Sequence, residues 1–192
     1  MRLSPEVLHI AEVSYYVAAR LGRANPVLAG NLLIGTALRE SQSVLRTQIG
    51  IDPENMYLLP KDEKPVPAIG LWQIEPDTLR DLVYRYLPKH PCYMAEVESI
   101  LGAFPLTFCG SGFAHYERLL FHMKHNDMLA CTLARLRYLC ESSPIPDTVD
   151  GHGDYWKQYY QRGGPESGLQ ASDYVETWYE YFGKHPVTES LI

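Results

Sequence analysis

Two short stretches of this chain carry residue types that can do chemistry together. The first ends in Ala37-Leu38-Arg39-Glu40-Ser41 and the second is Gly70-Leu71-Trp72-Gln73-Ile74-Glu75-Pro76. Glu40 stands seven residues beyond Leu33. At about 100° per residue that spacing is roughly 20° short of two full helical turns, so Leu33, Ala37, Glu40 and Val44 share one face. A carboxyl among apolar groups loses solvation of its charged form, and its pKa rises. A general acid that must hold a proton near neutral pH needs that property. The same Glu can also be read as an exposed helix-end residue or as the partner of Arg39 or Arg46. In the second stretch the Gly permits a tight turn, Trp72 offers a stacking surface, and the Gln73 amide can bond hydroxyl or acetamido groups.

The elements that must position these groups follow from periodicity and punctuation. Pro26 opens a long apolar run that reads as a helix carrying Glu40 near its end. Before it, Ser4-Pro5 caps a first helix with Ile10, Val13, Val17 and Leu21 on one side, ended by Gly22. Asp77 to Leu87 shows Leu79, Leu82, Val83 and Tyr86 at helical spacing between Pro76 and Pro88, which places Gln73 at a helix entrance. A short helix is expected near 95–101, then helices over 116–123 and 127–140. Pro144-Ile145-Pro146-Asp147 and Gly151-His152-Gly153-Asp154 read as a turn-rich connection to a helix holding Trp156, and Gly163-Gly164-Pro165 as its interruption. A last helix over about 171–182 aligns Val175, Trp178, Tyr179 and Phe182. The fold class is mainly α.

Together, Glu40-Ser41 and Gly70-Leu71-x-Gln73-Ile74-x-Pro76 resemble the paired signature of the lysozyme-like superfamily, its lytic transglycosylases and phage muramidases in particular. Trp72 stands where that pattern usually has Met. Asp154-Tyr155-Trp156-Lys157-Gln158-Tyr159-Tyr160 is similar to the Trp-x-x-Tyr-Tyr segment of lysozyme-like and chitinase-like phage enzymes, with Gln161 in place of the usual Asn. Trp156, Tyr159 and Tyr160 are also what an ordinary core-facing helix shows. The resemblance implies one lysozyme-like domain over 1–192 with a substrate cleft. Its motif-bearing core would span 26–82, with an inserted loop at 46–67 and a short β-hairpin within 46–72.

The resemblance further implies a glycosidase of the MurNAc-GlcNAc β-1,4 bond of peptidoglycan or a related amino-sugar polymer, and the lack of a secretory signal suits a phage-encoded one. Glu40 would be the catalytic residue, with Ser41, Trp72, Gln73 and Tyr159 binding substrate. Glycoside cleavage needs a proton for the leaving oxygen and stabilisation of the developing charge. Lytic transglycosylases manage with one Glu, whereas a hydrolytic lysozyme or chitinase-like enzyme would add a second carboxylate, for which Glu75 and Asp52 are the candidates. Glu75 and Asp77 are otherwise first-turn residues that complement a helix dipole. A third reading is a non-catalytic virion structural or wall-binding protein with this fold.

Composition narrows the partners. At 192 residues the chain is long enough for a core without staples. A net charge of −6 without a basic run argues against nucleic acid. No stretch of 18 or more apolar residues offers a membrane span, and Met1-Arg2-Leu3-Ser4-Pro5-Glu6 lacks a conventional secretory signal. The expected setting is therefore the virion, beside other virion proteins, or the host cytoplasm before release onto the wall. Cys92, Cys109, Cys131 and Cys140 lack metal spacing and are expected as free buried thiols, Cys140 on a stripe with Leu129, Leu133 and Leu136. His115, His122 and His125 have no companion ligands, so no metal and no cofactor is expected.

Overall fold

A computed structural model of the chain describes residues 3–22, 25–41, 68–101, 121–161 and 168–184. The architecture is mainly α, as the periodicity predicts. Helix α1 (Pro5–Arg20) begins where the Ser4 hydroxyl accepts the Val7 amide at 3.4 Å, and it buries Ile10, Val13 and Val17 along the expected face. Helix α2 (Pro26–Ser41) starts at the Asn25 side chain, which accepts the Val27 amide at 2.9 Å. Every residue from Ala29 to Leu38 is buried. A helix that is apolar all round must be covered on all sides, and α2 is packed by α1 and by the later helices.

Helix α3 (Pro76–Asp81) does not run on regularly to residue 87. It passes into a π-turn at Leu82–Tyr86 and a 3-10 turn at Leu87–Lys89. The Leu87 amide reaches back to the Leu82 carbonyl, so both buried leucines face the core one wide turn apart, and Pro88 ends the regular pattern. Helix α4 (Pro91–Leu101) starts earlier than its apolar residues suggest. Of the helix expected over 116–123, residues 116–120 lie outside the described residues, and a helical turn occupies 121–125. Helix α5 (Asp127–Leu139) is capped by Asn126, which accepts the Leu129 amide at 3.0 Å.

Helix α6 (Val149–Tyr159) corrects the expected turn at 151–154. Thr148 caps it, accepting the Gly151 amide at 3.1 Å, and Gly151 and Gly153 lie inside the helix. Close packing explains Gly153, since a Cβ there would sit 2.6 Å from the Ala171 carbonyl oxygen. Small size at a helix contact, rather than turn propensity, selects glycine. Helix α7 (Ala171–Phe182) opens with a reciprocal cap between Gln170 and Asp173. It buries Tyr174, Trp178 and Phe182, whereas Val175 and Tyr179 are half-buried. Helix α6 lies mainly against α7, and α7 against α2.

The hairpin expected within 46–72 and the interruption at 163–165 fall largely outside the described residues. The antiparallel pairing seen among the described residues is a single bridge, Ile69 with Ile74. No helix among them is long and apolar enough to cross a membrane. Cys92, Cys131 and Cys140 are free, but only Cys131 is buried. Cys140 follows the last turn of α5, where its Sγ donates to the Leu136 carbonyl at 3.3 Å and stays exposed.

Candidate active site

Glu40 lies in the last turn of α2, one side in the core and the other reaching the surface. The fully buried Trp156 indole donates its Nε1–H to Glu40 Oε1 at 2.9 Å. Among the described residues Glu40 makes no ion pair, and its neighbour Arg39 turns to Asp173 at 3.8 Å. Burial pushes the Glu40 carboxyl up to about 7. The Trp156 hydrogen bond and the Arg39 charge pull the other way, and the negative charge of Glu75 adds to the rise. Desolvation wins because the apolar helix faces around the carboxyl replace water, while one indole donor replaces only part of that hydration.

The second stretch is tied to this region through the charge of Glu75, which acts on Glu40, and through Tyr160. Ile69 and Ile74 exchange amide-to-carbonyl bonds of 3.2 and 3.1 Å, and the Gln73 amide donates to Gly70 O at 3.0 Å, closing a tight turn. Gly70 has φ +79°, and a Cβ there would stand 3.1 Å from both the Met123 carbonyl oxygen and Ala130 Cβ. Gln73 has φ +46°, a left-handed conformation that a non-glycine residue adopts at a cost. Its Nε2 donates to Gly70 O at 2.8 Å, so the side chain braces its own turn. Tyr160, just past α6, donates to the Trp72 carbonyl at 2.7 Å, and its phenol is close enough to Glu40 to feel its charge. Tyr138 on α5 is similarly close and meets Thr36 Oγ1 at 2.7 Å. Because Thr36 donates its own proton to Leu32 O at 2.7 Å, the Tyr138 hydroxyl must be the donor to Thr36.

Glu40, the turn carrying Trp72 and Gln73, Glu75 and the Trp156-to-Tyr160 segment thus converge. Several expected roles change. The Trp72 side chain is 0% exposed, and its Nε1–H donates to Leu33 O at 2.9 Å, so it is a core residue pinning the turn to α2 instead of a stacking platform. The Ser41 hydroxyl is buried and donates to Ala37 O at 2.8 Å, which directs it back into its own helix. Tyr159 pairs its hydroxyl with Ser143 Oγ at 2.8 Å and sets its ring 4.6 Å from Tyr155. Gln73 is mostly buried, with its Nε2 committed to the turn. Glu75 is exposed at the start of α3, and Asp52 lies outside the described residues.

The direct bond from Trp156 to Glu40 is the feature that periodicity alone does not reveal, since a core tryptophan and a carboxyl clamp share the same helical spacing. Among the described residues no group of three or more His, Cys, Asp or Glu side chains is placed to hold a metal. Comparison with protein-family models, with curated proteins and with solved structures finds no match for this chain.

Proposed function

We propose that this chain is a peptidoglycan-degrading glycosidase that cleaves the MurNAc-GlcNAc β-1,4 bond as a lytic transglycosylase, with Glu40 its single catalytic acid and base. One observation carries the reading: a half-buried carboxyl, clamped by an indole and raised to about 7, stands near the segment that carries Glu75. Glu40 in its acid form delivers a proton to the glycosidic oxygen as the bond to C1 breaks. The resulting carboxylate then takes the proton of the same sugar's C6 hydroxyl while O6 attacks C1. The 1,6-anhydro ring closes, Glu40 regains its proton, and no water is consumed. A pKa near 7 suits both halves of that cycle, because neither protonation state is strongly disfavoured at neutral pH.

A hydrolytic lysozyme is the second reading, favoured by Glu75, whose charge acts on Glu40. Product ends separate the two. Mass spectrometry of fragments released from purified peptidoglycan should find ends lighter by one water and resistant to borohydride, and Glu40→Gln should release none. Reducible ends, together with loss of activity in Glu75→Gln, would replace the transglycosylase reading with the two-carboxylate one. Absence of any fragments with wild-type protein would overturn both and leave a wall-binding or virion structural role.

A further inference from the structure

Trp156 sits on α6 and Glu40 on α2, yet these helices touch each other little; each packs more fully on α7. One residue on α7 touches both the Trp156 ring and helix α2. The fully buried Tyr174 sets its ring 5.9 Å from the Trp156 ring at 36° and 6.5 Å from His152, one turn earlier on α6, at 76°. Its hydroxyl donates to the Asn31 and Leu32 carbonyls of α2, both at 3.3 Å. That hydroxyl lies where a side chain at Gly35 would begin, so α2 is notched to admit it. These carbonyls already serve the helix ladder, and the phenol uses their second lone pairs. Its neighbour Asp173 adds the link to Arg39.

We propose that Tyr174 is a positioning residue, holding the Trp156 indole at the Glu40 carboxyl by fixing α6 to α2, its ring on the indole and its hydroxyl on the Asn31 and Leu32 carbonyls. The catalytic meaning of this positioning rests on Glu40 being the acid of the site. Without the hydroxyl tie the indole gains freedom, and its hydrogen bond to Glu40 weakens. That bond favours the charged carboxyl, so weakening it raises the midpoint of Glu40. The other groups acting on Glu40 are Arg39 on α2, Glu75 before α3, Tyr138 on α5 and Tyr160 after α6. Tyr138 lies close enough to Tyr174 for their charges to interact, but among the described residues none of these groups shares a hydrogen bond or ring contact with Tyr174.

The indole N–H resonances of the full chain report this directly, with the Trp156 signal assigned by Trp156→Phe. In wild type the Trp156 Nε1–H shift should follow the Glu40 titration with a midpoint near 7. In Tyr174→Phe the midpoint should rise by about half a pH unit and indole exchange with solvent should quicken about three- to tenfold, the size of one weakened hydrogen bond. Tyr174→Met is read the same way if the Phe variant does not fold. Phe182→Leu, a core change on the same helix, should lower Tm and move neither quantity. A folded Tyr174 variant with wild-type midpoint and exchange would overturn the inference, as would equal shifts in Phe182→Leu. No substrate enters the measurement, so a protein without wall-degrading activity would remove the glycosidase reading and leave the positioning result standing.

Discussion

At the scale of single residues, the site is built from groups that give up stability. The Glu40 carboxyl moves from an ordinary 4.5 to about 7 on folding. Its neutral form is therefore favoured in the fold, and stability falls as pH rises from 4.5 through 7. Glu40→Gln keeps an oxygen for the Trp156 donor and carries no charge. It should be inactive in the peptidoglycan assay yet more stable than wild type by up to about 3 kcal/mol at pH 8, with no gain at pH 4. Urea unfolding at the two pH values checks this, and equal stabilities at pH 8 would contradict a raised carboxyl. Trp72 predicts the reverse behaviour. Its indole is sealed between the turn and α2, so Trp72→Ala should cost about 3–5 kcal/mol by calorimetry, as emptying a core aromatic site does. A fully stable Trp72→Ala variant with weakened substrate binding would restore the stacking role that its residue type suggests.

At the scale of elements, the sequence is readable wherever one force acts alone. The Ser4 cap, the apolar stripe of α1 and the length of α2 follow from spacing and from the residues at their ends. The partial burial of Glu40 is legible because its spacing puts it on the apolar stripe of α2. Gly151 and Gly153 mislead because glycine serves both turns and close helix contacts, and only the Ala171 carbonyl beside Gly153 decides between them. Trp72 and Ser41 mislead for a related reason: type and position show that a side chain is near a site, not whether it points into it. The Gly153 contact is testable, since Gly153→Ala should destabilise the α6 and α7 pair by about 1–3 kcal/mol through overpacking, read as a lowered Tm. Helix α5 holds another unobvious group. Arg135 is 2% exposed, and its Nε and Nη2 find no hydrogen-bond partner among the described residues. Arg135→Met should therefore leave stability unchanged or raise it by about 1–4 kcal/mol in denaturant titrations. A large loss would mean that the guanidinium is paired in solution.

At the scale of the whole molecule, two buried titrating groups oppose each other. His152 donates Nε2–H to Pro146 O at 2.9 Å, and burial lowers its pKa from 6.5 to about 4. The fold excludes the charged imidazole, so stability grows as pH rises from 4 to 6.5, while the Glu40 contribution shrinks from 4.5 to 7. The two slopes nearly cancel, and these groups leave the wild-type profile close to flat across that range. Glu40→Gln should uncover the His152 slope as a stability that climbs by up to about 3 kcal/mol from pH 4 to 6.5. The bonds that assemble the site have one more consequence. Trp156 and Glu40 are 116 residues apart, and Tyr160 and Trp72 are 88 apart. Closing loops of that size is slow and comes late in folding. During synthesis Glu40 emerges well before the indole that receives it. Glu40 gains its clamp only after Trp156 has left the ribosome, so a fragment released before that point carries the carboxyl without the burial that keeps it protonated near pH 7.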